Sequence, residues 1–169
     1  MHSTTDLMVE IRKNENPVIS DIEKIELEID ELPLDAAGII EPKTLHEARF
    51  SIYFLAALAL TEGKVTVENF TERKVLEPEL VALRKKIKAT GLSNVGLSSN
   101  VAVHMKDGKI YKRYTPAPKG SLDKPLSPEE LKDKFRSTSG LSPEKADRVI
   151  EKIMGLEKVE SINEILSLF

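Results

Sequence analysis

The chain has 169 residues, 40% of them hydrophobic and 31% charged, which is enough for one domain with a real core. Its net charge of −3 is spread over interspersed signs, so it offers no basic field to nucleic acid and no polybasic block to an anionic membrane. It contains no cysteine, which excludes disulfides, thiolate metal sites, iron–sulfur clusters and a cysteine nucleophile, and fits a cytoplasmic protein.

Residues Ser3 to Lys13 carry Leu7, Met8 and Ile11 at helical spacing, and the opening residues have no signal-peptide pattern. Asn14, Asn16 and Pro17 break this helix. In "IEKIELEID", Ile25, Leu27 and Ile29 alternate with Glu26, Glu28 and Asp30, the period of a half-buried strand. "ELPLDAAGIIEPK" reads as a loop, punctuated by Pro33, Gly38 and Pro42. Thr44 and Glu47 form a capping box that opens a helix running to about Glu62 and stopping at Gly63. Its apolar run from Phe50 to Leu60 is far short of the roughly 20 residues a membrane span needs, so it is read as a core helix.

"TVENF" and "EPELVALRKKI" are expected to be short helices, the second with Pro78 in its first turn. Val101, Val103 and Met105 alternate before Asp107-Gly108, and Ile110 and Tyr111 follow, which is a hairpin signal. After the Pro/Gly/Ser stretch "TPAPKGSLDKPLSPEE" the pattern is wholly helical. Capping residues stand at Ser127 with Glu130, Ser142 with Lys145, and Ser161 with Glu164. The expected fold class is α+β: a short antiparallel sheet packed by helices, then a C-terminal helical segment.

No complete catalytic constellation emerges from the residues. His2, His46 and His104 lie at no metal-ligand spacing, and no nucleophile elbow or phosphate-binding loop is present. His104 reads as a solvated strand residue and His46 as a surface residue. His2 stands four before Asp6, either as an acid–base residue with its orienter or as part of a frayed terminus. Lys119 beside Gly120 offers a cation and backbone N–H groups to a carboxylate. Arg49 and Ser51, at the mouth of the apolar helix, either face an anion or, for Arg49, pair with Glu47 or Glu41.

Taken in order, "DIEKIELEI", "KTLHEARFSIYFLAALALTEGKVTVENFTE", "VAVHMKDGKIYKRYTPAPKGSLDKPLSPEELKDKF" and "LEKVESINEIL" resemble the C-terminal part of the MmgE/PrpD family. That family includes 2-methylcitrate dehydratase, cis-aconitate decarboxylase and iminodisuccinate epimerase. The resemblance implies an α+β lid over residues 1–120. It also implies that the helical tail, residues 121–169, packs on an all-helical domain carrying most of the acid–base residues. It further implies proton abstraction next to a carboxylate, with no metal and no cofactor. "HSTTD" resembles the second half of a His-rich family segment, which places His2 at the catalytic region, with Arg49, Ser51 and Lys119 as candidate substrate-binding residues.

The implied partners are a small carboxylic-acid substrate, the N-terminal helical half of such an enzyme if it is split, and a second copy of this chain. Nucleic acid and membrane are not among them. Two functions follow: the lid portion of a lyase or isomerase that is inactive without the helical half, or a non-catalytic interaction or scaffold module.

Overall fold

Strand β1, Ile22–Asp30, organises the larger part of the molecule because its alternation gives it two unlike faces. Ile22, Ile25, Leu27 and Ile29 are buried, while Glu23, Lys24 and Glu28 stay in water. The computed structural model describes residues 1–169, which divide into two units, Met1–Pro125 and Leu126–Phe169.

In the first unit the sheet has four strands in the order β2-β1-β3-β4, with β2 at Ile87–Leu92, β3 at Ser99–Met105 and β4 at Ile110–Thr115. The hairpin β3–β4 turns at Asp107-Gly108 as its sequence predicts, with Gly108 at φ 85° and Lys109 N–H donating to Asp107 Oδ1 at 2.9 Å. The expected antiparallel sheet is instead mixed, because β2 pairs parallel to β1 from Ile25↔Ile87 to Asp30↔Leu92. This edge strand buries only Ile87, so its sequence carries no alternation to announce it.

Helix α1, His2–Glu15, buries Leu7, Met8 and Ile11, and ends at Asn16, whose left-handed backbone returns its N–H to Arg12 O. The segment expected to be a loop forms α2, Glu31–Ala37. Asp30 caps it by accepting from Leu32 N–H at 3.2 Å, and Pro33 falls in the first turn, where its missing donor costs nothing. The other Asp30 oxygen accepts from the N–H groups of Val95 and Gly96 at 3.1 and 3.0 Å. One carboxylate thereby ties α2 to the β2–β3 loop. Gly91 lets α2 lie close on β2: a Cβ there would stand 3.1 Å from Glu31 Cβ.

The expected single helix from Thr44 to Glu62 is two. The capping box of Thr44 and Glu47 opens α3, Leu45–Ala48. The chain then turns, and Ser51, in extended backbone, caps α4, Ile52–Glu62, by accepting from Phe54 N–H at 3.0 Å. Helix α4 is apolar all round and almost wholly buried, the pattern of a helix surrounded by protein. It packs along α1 and against α6, Pro78–Arg84.

The expected "TVENF" helix is a single turn held by Asn69, whose side chain accepts from Thr66 N–H at 2.7 Å and donates to Lys64 O at 2.9 Å. Next comes α5, Glu72–Val75, capped by Thr71. Helix α6 stops at Arg84 rather than Ile87, because Ile87 enters β2.

The second unit holds α7, Pro128–Thr138, α8, Pro143–Met154, and α9, Asn163–Leu166. Ser127 with Glu130 and Ser142 with Lys145 cap the first two as read from the sequence. At α9 only half of the box forms: Glu164 accepts from Ser161 N–H, but the Ser161 hydroxyl accepts from Asn163. Arg136 joins α7 to α8 through Asp147 at 2.8 Å, while Asp133 of its own helix holds the guanidinium at 2.7 Å. Leu131, Phe135, Val149, Ile150, Ile153 and Met154 line an open apolar groove of about 600 Å³ within this unit.

Two substitutions test this construction. Ser51→Ala removes the cap of the central helix and should cost about 1–2 kcal/mol in urea unfolding at unchanged slope. Asp30→Asn removes a shared acceptor and should cost about 1–3 kcal/mol. Its specific signature is fast hydrogen exchange at the Val95 and Gly96 amides, which a general loss of stability would not single out.

Candidate functional site

The first turn of α1 carries His2 outward while Ser3 and Thr4 point in and are buried. The Ser3 hydroxyl donates to Leu97 O, and the Thr4 hydroxyl shares a 2.9 Å hydrogen bond with Ser99. These contacts fasten the start of α1 to the loop that Asp30 holds from its other side. His2, Asp30, Gly96, Leu97 and Pro118 meet around a small cavity of about 50 Å³. The His2 imidazole is exposed, and no protein group bonds it.

Asp6, four residues on, does not orient His2. Its carboxylate accepts from the backbone N–H of Lys119 at 2.7 Å and draws the turn at Lys119-Gly120 to the same end of α1. His2 and Lys119 are thus brought to one edge of the unit, and both residues are exposed. An imidazole there can take or return a proton, and a cation beside it can hold a carboxylate.

Arg49 and Ser51 lie elsewhere, in the turn between α3 and α4, and neither lines the His2 cavity. A short clasp braces this turn: Gly38 pairs with Ser51, and Ile39 N–H donates to Phe50 O at 3.3 Å. Ser51 is fully buried and its hydroxyl is committed to the helix cap. Arg49 is exposed and free of ion pairs, because Glu47 is engaged by the backbone N–H groups of Lys43 and Thr44 at 2.6 and 3.3 Å. Of the two, Arg49 is the group able to meet a ligand.

His104 does face away from the core, as its place in the alternation requires, but it is not simply solvated. Its side chain is only 17% exposed, with Nε2 2.7 Å from Glu26 Oε2. Hydrogen bonds from Lys24 and then His104 hold the Glu26 carboxyl below its ordinary range. The sequence shows both residues on polar faces of their strands, but only the register, with Lys24 opposite His104, makes them neighbours. No group of three or more His, Asp or Glu is placed to hold a metal ion, and no helix is long and apolar enough to cross a membrane.

The chain is 30% identical over 135 residues to cis-aconitate decarboxylase of Mus musculus, covering 74% of this chain and 28% of that protein. It is 29% identical over 134 residues to cis-aconitate decarboxylase of Homo sapiens, covering 75% and 28%. The chain therefore spans little more than a quarter of the length of the curated relatives it matches. A model of the MmgE/PrpD C-terminal domain matches residues 1–157, and the chain belongs to the MmgE/PrpD family through this domain.

Proposed function

We propose that this chain forms the lid side of the active site of a cofactor-independent lyase or isomerase acting on a small di- or tricarboxylic acid. Cis-aconitate is the first candidate substrate, with 2-methylcitrate and iminodisuccinate as others. The observation that carries this reading is the similarity to two cis-aconitate decarboxylases across three quarters of the chain, together with the open imidazole of His2 at the edge of the α+β unit. In this role His2 moves a proton at the carbon next to a carboxylate. Arg49 and Lys119 hold carboxylates, and Ser51 fixes the start of α4 beside the turn that carries Arg49. When a carbon–carboxylate bond breaks, carbon dioxide leaves, and the electron pair stays on carbon until a proton arrives.

One imidazole and two cations do not make such a site, because the charge developing at carbon needs donors placed around it. The missing groups belong to the rest of the family's fold, a helical part that this domain faces. The apolar groove of α7 and α8 supports a helical partner of that kind, and in its absence two copies of the chain cover the groove on each other. The protein works in the cytoplasm in this reading.

The chain alone should turn over none of the three acids. Joined to the polypeptide that supplies the remaining length of the family fold, it should act on one of them, and His2→Ala should abolish that activity. A complete assembly that stays inert would instead make the chain a non-catalytic interaction module. In the active assembly Arg49→Ala should raise KM about tenfold or more, the worth of one charge-assisted hydrogen bond. An unchanged KM with a lowered melting temperature would remove Arg49 from the substrate.

A further inference from the structure

Arg84 is the one charged side chain of the first unit that is almost completely buried without a carboxylate partner. It is 4% exposed, and it forms no ion pair. One guanidinium nitrogen donates to Val75 O at 2.9 Å, at the end of α5, and the group stacks over the Phe54 ring, 5.8 Å from its centroid. A guanidinium carries five N–H donors and stays charged, so this backbone carbonyl leaves most of its hydrogen-bonding capacity unused. The remaining nitrogens have no protein partner, yet they are not sealed off from solvent. Arg84 borders a cavity of about 220 Å³ that also meets Lys43 and Lys85.

The charges around this cavity do not balance. Arg84, Lys43 and Lys85 face it, and Glu41 is the acid among its walls. Burial works against the Arg84 charge, and Glu41 is the group that offsets this. Ile40, Leu76 and Val81 supply apolar walls beside these charges. A role confined to capping α5 would not need the flanking lysines.

We propose that Arg84 is the floor of a binding site for a small dianion, a phosphate or dicarboxylate head group, held by the guanidinium fork and flanked by Lys43 and Lys85. A planar fork suits two oxygens of either group. The site does not rest on the lyase reading, since none of His2, Arg49, Ser51 or Lys119 lines it.

The test is an NMR titration of the chain with inorganic phosphate and, separately, malonate at constant ionic strength. Saturable shifts should appear at residues 40–43 and 81–85 and at the Arg84 side-chain N–H. Tighter phosphate binding identifies a phosphoryl head group, and tighter malonate binding a dicarboxylate. Arg84→Met should weaken binding about tenfold or more, the scale of a charge-assisted hydrogen bond. Glu41→Gln should tighten it severalfold, and Lys43→Ala with Lys85→Ala should weaken it severalfold. These surface changes decide the matter if Arg84→Met does not fold. Absence of saturable shifts with both anions, shifts confined to other residues, or affinities indifferent to the surface substitutions would overturn the site.

Discussion

The constraint on which the first unit depends is the all-round apolarity of α4. A helix with one apolar stripe can lie on a surface, but Ile52–Leu60 presents apolar atoms in every direction and must be enclosed. Enclosure requires α1 on one side and α6 on another, and it requires the inward row of β1 and β3 to complete the core. The position of everything polar follows. The start of α1 is pushed to an edge, where His2 is exposed, and the Ser51 cap is buried because the helix it starts has no exposed end face. The enclosure also bears on the buried Arg84, whose guanidinium lies over the Phe54 ring.

Elements whose residues repeat with a clear period were legible before any coordinates. Strand β1, the hairpin and the three tail helices carry either strict alternation or a capping pair, and the structure has them where the pattern puts them. What stayed hidden depended on distant contacts. Helix α2 looks like a loop because Pro33 falls inside a weak pattern that Gly38 ends, and it is held by an aspartate that also bonds a loop 65 residues away. Strand β2 has little buried surface and takes its shape from pairing with β1. The break at Arg49–Ser51 was masked by an apolar run that continues across it.

The candidate site was legible to a lesser degree, for a related reason. A histidine at a helix start and a cation beside a glycine are visible as residues, but their convergence is made by Asp6 binding the Lys119 backbone, which no periodicity encodes. The alternative pairing of Arg49 with Glu47 failed because the carboxylate had a better use at the helix cap, with two N–H donors in reach. Arg84 went unnoticed within a helical pattern, since nothing in "VALRKKI" distinguishes a guanidinium turned inward from its solvated neighbours.

The central position of β1 has a consequence for how the chain comes together. Both of its neighbours are made much later, β2 from Ile87 onward and β3 from Ser99 onward, so during synthesis its two edges stand open while some sixty residues are added. A strand with Ile25, Leu27 and Ile29 along one face is a ready template for the wrong partner, and pairing across such separations is intrinsically slow. Lys24, Glu26 and Glu28 on the same strand answer that hazard: two copies laid edge to edge in parallel register would bring like charges into line. Lys24, Glu26 and Glu28, which keep one sheet face wet in the finished fold, are, on the nascent chain, what keeps β1 soluble until its own partners arrive.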